Sequence, residues 1–280
     1  MACPPTPYIF GAMSLGKDVA QQDNDIAVVR QVMEQGLWIH ASPTYHRGFS
    51  FMALRCAFDA APSQRPPMML KIRDGSVRWL RFETEDCCRR LGLESIAMAQ
   101  LVSMDDGPNN LIQQLVHGGP IAEELAALRT RGLIQRAAVF IHRRNCDAAV
   151  EAAAASPLID AVTCYCNLWQ RECSDAAWQR LQDLKIPVLA LRTLAGHEQR
   201  PQSLADTAQA ILSASGRSNL VQLAMDVAHT EPPVCATIGG TASLDHLQQL
   251  IACSQQARPL PPELMQRIAN LRCAAREADS

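Results

Sequence analysis

The sequence predicts an α/β protein built as one (β/α)8 TIM barrel, and three observations carry that prediction. Short apolar runs recur eight times along the chain, each followed by a longer stretch of helical period. The runs are nearly all apolar rather than alternating, which marks parallel strands buried on both faces. The first turn, "GAMSLG", lacks the GxGxxG spacing that opens a doubly wound sheet. Eight units over ~250 residues match a closed barrel, which leaves no edge strand. The expectation is one domain over residues 1–280, with a last helix over about 262–275.

The units follow in order. The run Tyr8 to Met13 precedes "DNDIAVVRQVMEQG", where Asp23 or Asn24 caps, Ile26, Val29, Val32 and Met33 form an apolar stripe, and Gly36 closes the helix. "LWIHAS" (37–42) precedes a helix over about 49–61, and "MMLKIR" (68–73) precedes one over about 77–91. "IAMAQLV" (96–102) leads to "IAEELAALRTRG", and "QRAAVFI" (135–141) to "CDAAVEAAAA". "AVTCYCN" (161–167) leads to "SDAAWQRLQDL", and "IPVLALR" (186–192) to helices near 203–213 and 217–229. "CATIGG" (235–240) precedes "SLDHLQQLIACSQQ". The stretch from Gly196 to Ser218 carries no readable pattern beyond the helix inside it.

With 280 residues, 48% hydrophobic and 19% charged, the composition is that of a packed globular chain. A formal net charge of −2 and the lack of a basic stripe interleaved with aromatics exclude a nucleic-acid partner. The start "MACPPTPYIFGAMSLG" shows neither the basic nor the long apolar segment of a secretory leader. No window approaches the ~18 apolar residues that cross a bilayer. Eleven cysteines without a CxxC pair fit reduced, buried thiols in a cytoplasmic protein. No Cys/His grouping has metal-ligand spacing, so no metal is expected.

In a parallel barrel the reactive face is built from the carboxyl ends of the strands and the loops after them. The polar residues there are His40, Tyr45, His46 and Arg47 after strand 2, Lys71 and Arg73 on strand 3, and Gln100 and Ser103 on strand 4. Strand 5 is followed by His142, Arg143 and Arg144, strand 6 by Asn167, and strand 7 by Arg192 and His197. Lys71 stands out, because a lysine among apolar strand residues loses hydration and its pKa falls unless a partner compensates. The Arg143-Arg144 doublet suits a carboxylate or phosphate on a substrate, or is a solvated loop charge.

Several segments resemble the aldo-keto reductase family. "GLWIHASPTYHRG" is similar to that family's signature of a glycine, an apolar strand, Asp-Thr-Ala and a tyrosine. "LGLESIAMAQLV", "RGLIQRAAVFIHRRN", "DAVTCYCNLWQRE", "LALRTLAG" and "IGGTASLDHLQQL" resemble later segments in order, over about residues 8 to 250. The resemblance implies a barrel that reduces carbonyls with NADPH, using a tyrosine acid, a lysine, an aspartate and a histidine. It places Tyr45 on the tyrosine and Lys71 on the lysine, while His40 stands at the aspartate and Val102 at the histidine. At the nicotinamide end Phe140 and Ile141 replace a Ser-Asn pair, Thr163 replaces a glutamine, Leu191 replaces an aromatic, and Asn167 is kept. At the adenosine-phosphate end it points to Gly240, Thr241, Ser243 and His246, with Leu250 where relatives often place asparagine.

The expected catalytic set is therefore Tyr45, Lys71 and His40, a degenerate version of the family's four residues. Substrate contacts are expected from His46, His142 and Arg143. With His40 opposite Lys71, two basic groups share one pocket. Either His40 stays neutral and accepts a hydrogen bond, leaving a charged Lys71 to polarise Tyr45, or Lys71 loses its proton and acts as a base or amine nucleophile. The leading expectation is an NADP-linked oxidoreductase acting on an unusual carbonyl, sugar-like, acidic or phosphorylated small molecule. The alternatives are a cofactor-independent isomerase or dehydratase in the same cavity, and an inactive binding or regulatory subunit with a protein partner.

Overall fold

A computed structural model describes residues 4, 6–73, 76–102, 111–140, 146–194 and 202–278. Eight strands form its centre: β1 (Tyr8–Gly11), β2 (Trp38–Ala41), β3 (Met68–Arg73), β4 (Met98–Val102), β5 (Ala137–Phe140), β6 (Ala161–Tyr165), β7 (Val188–Leu191) and β8 (Val234–Gly239). Each pairs in parallel with the next, and β8 pairs with β1, so the sheet closes into a barrel. The eight-unit reading holds, and most strands are two or three residues shorter than the apolar runs.

Eleven helices accompany them among the described residues: α1 (Gln22–Glu34), α2 (Phe49–Ala60), α3 (Val77–Leu91), α4 (Leu111–His117), α5 (Pro120–Thr130), α6 (Cys146–Ala155), α7 (Asp175–Asp183), α8 (Gln202–Ser215), α9 (Leu220–Thr230), α10 (Leu244–Gln255) and α11 (Pro262–Ala278). Local chemistry sets their ends. Ser76, Ser174, Asn219 and Ser243 accept a backbone N–H of the first turn of α3, α7, α9 and α10. Gly92 ends α3 at φ +66°, a conformation without penalty only for glycine. The Asn219 cap also explains why α9 begins at 220 rather than the expected 217.

Period-two alternation divides each strand between two cores. One face joins Ile9, Trp38, Met69, Met98, Ala138, Phe140, Ala161, Leu189, Leu191, Ala236 and Ile238 inside the barrel. The alanines make room for Trp38 and Phe140, so the interior is filled rather than hollow. The other face sends Phe10, Ile39, Leu70, Leu101, Val139 and Val162 against the helices. A third apolar cluster joins α8, α9 and α11 with Leu168 and Leu260.

The C-terminal helix is fastened by a buried cation. Arg272 donates through Nη1 to Glu231 Oε1 (2.6 Å) and through Nε and Nη2 to the Asn167 carbonyl (2.9 and 2.7 Å). Arg272 and Glu231 are each 7% exposed at the side chain. Arg171 approaches the other Glu231 oxygen at 3.5 Å. α11 is thereby tied to the segment just after β6, which borders the candidate site.

Candidate active site at the carboxyl mouth of the barrel

β3 carries Lys71 in register with Gln100 on β4, so the two side chains share a level and a face. The Lys71 ammonium nitrogen lies 5.2 Å from the centroid of the Tyr45 ring, over its face. Tyr45 starts a short 3-10 turn, Tyr45–Gly48, between β2 and α2. That turn is wound unusually: His46, Arg47 and Gly48 have φ of +47°, +57° and +92° in succession. Non-glycine residues adopt such angles at a cost. The turn is held in part by His46, whose Nε2 donates to the Met13 carbonyl at 2.6 Å.

Beneath this pair runs a buried hydrogen-bond chain. Thr163 Oγ1 donates to the Val139 carbonyl (3.3 Å) and so accepts from Gln100 Nε2 (2.8 Å). This turns Gln100 Oε1 toward His40 Nε2, 2.7 Å away, and Nε2 must be the donor. His40 is 3% exposed, and burial first, then the Lys71 charge, lowers its pKa to about 3. It is therefore a neutral imidazole carrying its proton on Nε2. Of the two sequence expectations for His40, neutrality fits; the bond it makes to Gln100 is given rather than accepted.

Lys71 has no carboxylate or hydrogen-bond partner among the described residues; its recorded contact is the Tyr45 ring. Burial, and then the charge of Arg192, lower its pKa. Burial, and then Tyr165, raise that of Tyr45, so the phenol keeps its proton across the physiological range. The wall beyond is aromatic and cationic. Tyr165 meets Phe140 edge-on at 5.6 Å between centroids, and the Arg192 guanidinium stacks on Tyr165 at 4.5 Å. Arg192 takes a left-handed φ of +53°, where β7 leaves the barrel.

Tyr165 was missed in the sequence, although a signal was present: alternation through Ala161, Thr163 and Tyr165 points it inward at the carboxyl end of β6. Gln100 and Arg192 stand at strand ends in the sequence, which by itself assigns them no role.

The remaining expected residues fall into separate groups. Thr163 is spent on the buried chain just described. Asn167 is 1% exposed, its Nδ2 donating to the Arg192 carbonyl (3.0 Å) and its Oδ1 accepting from the Trp169 amide (2.8 Å). Gly240 lies so near β1 that a Cβ there would run into the Gly11 carbonyl, a packing reason for glycine. Thr241 Oγ1 accepts from the Ser243 amide (3.0 Å), and Ser243 caps α10, whose exposed third residue is His246. Leu250 is buried in the core. His142 and Arg143 lie outside the described residues, as do Ile141, Ser103 and His197.

No family sequence model matches the chain, and no curated relative does. Solved structures do. An aldo/keto reductase from Klebsiella pneumoniae, in complex with NADP and acetate, is 20% identical and superposes with a TM-score of 0.74 over 95% of this chain and 91% of that one. The aldo-keto reductase AKR11C1 from Bacillus halodurans, in its holo form, is 20% identical with a TM-score of 0.75 over 95% and 91%. The thermostable aldo-keto reductase Tm1743, in complex with the inhibitor epalrestat, is 16% identical with a TM-score of 0.78 over 95% and 94%. At such identities the likeness speaks for architecture, and the chain has the (β/α)8 fold of the aldo-keto reductases.

Proposed function

We propose that this single barrel domain is a divergent aldo-keto reductase, an NADP-linked oxidoreductase for a small carbonyl substrate. The observation that carries the reading is the convergence of Lys71 and Tyr45 at the carboxyl mouth, Nζ 5.2 Å from the ring centroid. NADPH supplies a hydride when bound. Thr241, Ser243 and His246, at the start of α10, suit its adenosine-phosphate end, where a helix N-terminus attracts phosphate. Thr163 and Asn167 do not suit the nicotinamide amide, because their polar atoms are already bonded inside the protein.

The chain's own residues define the rest. The protonated Tyr45 phenol donates to the carbonyl oxygen. Lys71, lying over the ring, stabilises the phenolate that results. The neutral His40 holds Gln100 and adds no charge. Phe140, Leu191 and Tyr165 provide an apolar wall, and the Arg192 guanidinium beside Tyr165 suits an acidic substituent. A phenol with a raised pKa and, among the described residues, no carboxylate on its lysine is a weak acid for this task, so turnover is slow.

Fluorescence titration with NADPH, followed by carbonyl-dependent oxidation, tests the reading. Tyr45→Phe is expected to lower kcat/KM by ~10²–10⁴ while leaving NADPH affinity intact. Failure of NADPH to bind at millimolar concentration overturns it. One observation favours a second reading, proton transfer without a cofactor: the prior engagement of Thr163 and Asn167. Conversion of a carbonyl compound in the absence of NADPH separates the two.

A further inference from the structure

We infer that Lys71 is an amine nucleophile, and that the barrel mouth captures an aldehyde or ketone as a Schiff base on its Nζ. The inference rests on the reading of the mouth as a carbonyl site, and it concerns chemistry that needs no cofactor.

The chain uses lysine sparingly, at positions 17, 71 and 185, against twenty-three arginines. Where this protein needs a permanent cation it uses guanidinium: Arg272 on Glu231, Arg73 on Glu83, Arg129 on Asp160. Guanidinium stays protonated and forms no imine under these conditions, whereas a primary amine shifts its pKa readily and does. Lys17 and Lys185 are exposed loop residues. Lys71 alone of the three sits at the mouth, on the strand face shared with Met69 and in register with Gln100.

Its surroundings favour the free amine. No carboxylate holds the ammonium among the described residues; the β2 side chain near enough to feel its charge is His40, which is neutral and committed to Gln100. Burial and the Arg192 charge act in the same direction on Lys71. Tyr45, against which Nζ rests, supplies the proton transfers the reaction requires.

The steps balance. The Nζ lone pair forms a bond to the carbonyl carbon, and the C=O π pair moves to oxygen, which takes the Tyr45 proton. The phenolate then takes a proton from nitrogen, leaving a neutral carbinolamine. Tyr45 then donates to the hydroxyl, the C–O bond breaks, water departs, and the nitrogen lone pair forms C=N, leaving a protonated iminium beside the Tyr45 phenolate, which takes up the iminium N–H proton. Nothing is oxidised or reduced.

The test uses the full chain with benzaldehyde as probe and sodium cyanoborohydride to trap the imine as a stable secondary amine, followed by peptide mass mapping. Expected is labelling of Lys71 several-fold faster than of Lys17 and Lys185, persisting to lower pH than theirs. Lys71→Arg keeps a cation and is expected to lose this label while the other two sites are labelled as before; its circular dichroism and melting curve establish that it folds. Labelling confined to Lys17 and Lys185, or equal at all three, overturns the inference. NADPH titration of the same sample keeps the two readings apart. A labelled Lys71 without NADPH binding supports the imine and sinks the reductase; NADPH oxidation by benzaldehyde with Lys71 unlabelled does the reverse.

Discussion

His40 on β2 donates to Gln100 on β4 across 2.7 Å, so the bond passes over β3, the strand that carries Lys71. The β2 side chain near the lysine is thus tied to a neutral amide rather than to a counter-ion. His40→Asp places a carboxylate there. Gln100 accommodates it by rotating its amide, with Thr163 then donating to Oε1. The carboxylate raises the Lys71 pKa and keeps the ammonium charged beside Tyr45. Carbonyl reduction at neutral pH is expected to rise by about 10²-fold, and imine trapping at Lys71 to fall. Steady-state rates of the variant with NADPH check the first, and peptide mapping the second.

The same histidine gives stability a pH dependence of known sign. Its folded pKa, about 3, lies below the ordinary value of 6.5. The unfolded chain therefore binds a proton that the folded chain refuses. The contribution is fully present above pH 6.5 and is lost as pH falls toward 3, by up to ~1.4 kcal/mol per pH unit. His229, also lowered by burial, acts in the same direction. Urea melts from pH 7 to pH 4 are expected to show this loss, and His40→Gln to flatten the limb relative to the parent.

Asn167 joins the end of β6 to the end of β7 through the Arg192 carbonyl and closes its own loop through the Trp169 amide. Asn167→Ala leaves both groups without these partners, at a cost of ~1–3 kcal/mol for each that stays buried. The expectation is reduced stability together with unchanged NADPH affinity, since the side chain is buried and turned to its own backbone. A melting curve paired with a fluorescence titration reads both.

Arg272→Met removes the cation that Glu231 and the Asn167 carbonyl share. A buried carboxylate deprived of its partner costs about 3–5 kcal/mol, although Arg171 at 3.5 Å softens the loss. The double variant Arg272→Met, Glu231→Leu should recover much of it. Comparing the midpoints of chemical unfolding for the single and double variants decides the point.

Much of the barrel was legible because its signals are local. "MMLKIR" became β3 over its full predicted length, 68–73, and α3 begins and ends as predicted because Ser76 and Gly92 punctuate it. α4 was missed: seven residues give too few turns for a periodicity to stand out. The site was legible as a place more than as a mechanism. Strand ends located His40, Tyr45, Lys71, Gln100 and Arg192. Whether Asn167 serves a ligand or its own backbone depends on where the Arg192 carbonyl and Trp169 amide fall, which residue order does not state. The neutral state of His40 likewise depends on a chain of bonds through Gln100 to Thr163, residues more than a hundred positions apart from end to end.

The left-handed run from His46 to Gly48 makes the phenol a borrowed fixture. Tyr45 belongs to the second strand's loop, but a tether that keeps it in place ends on Met13, in the loop of the first. Any molecule that displaces the exposed Met13 segment also moves the acid, without touching it. Sensitivity of Tyr45 to what occupies the neighbouring lip of the barrel is thus built into the winding of three residues.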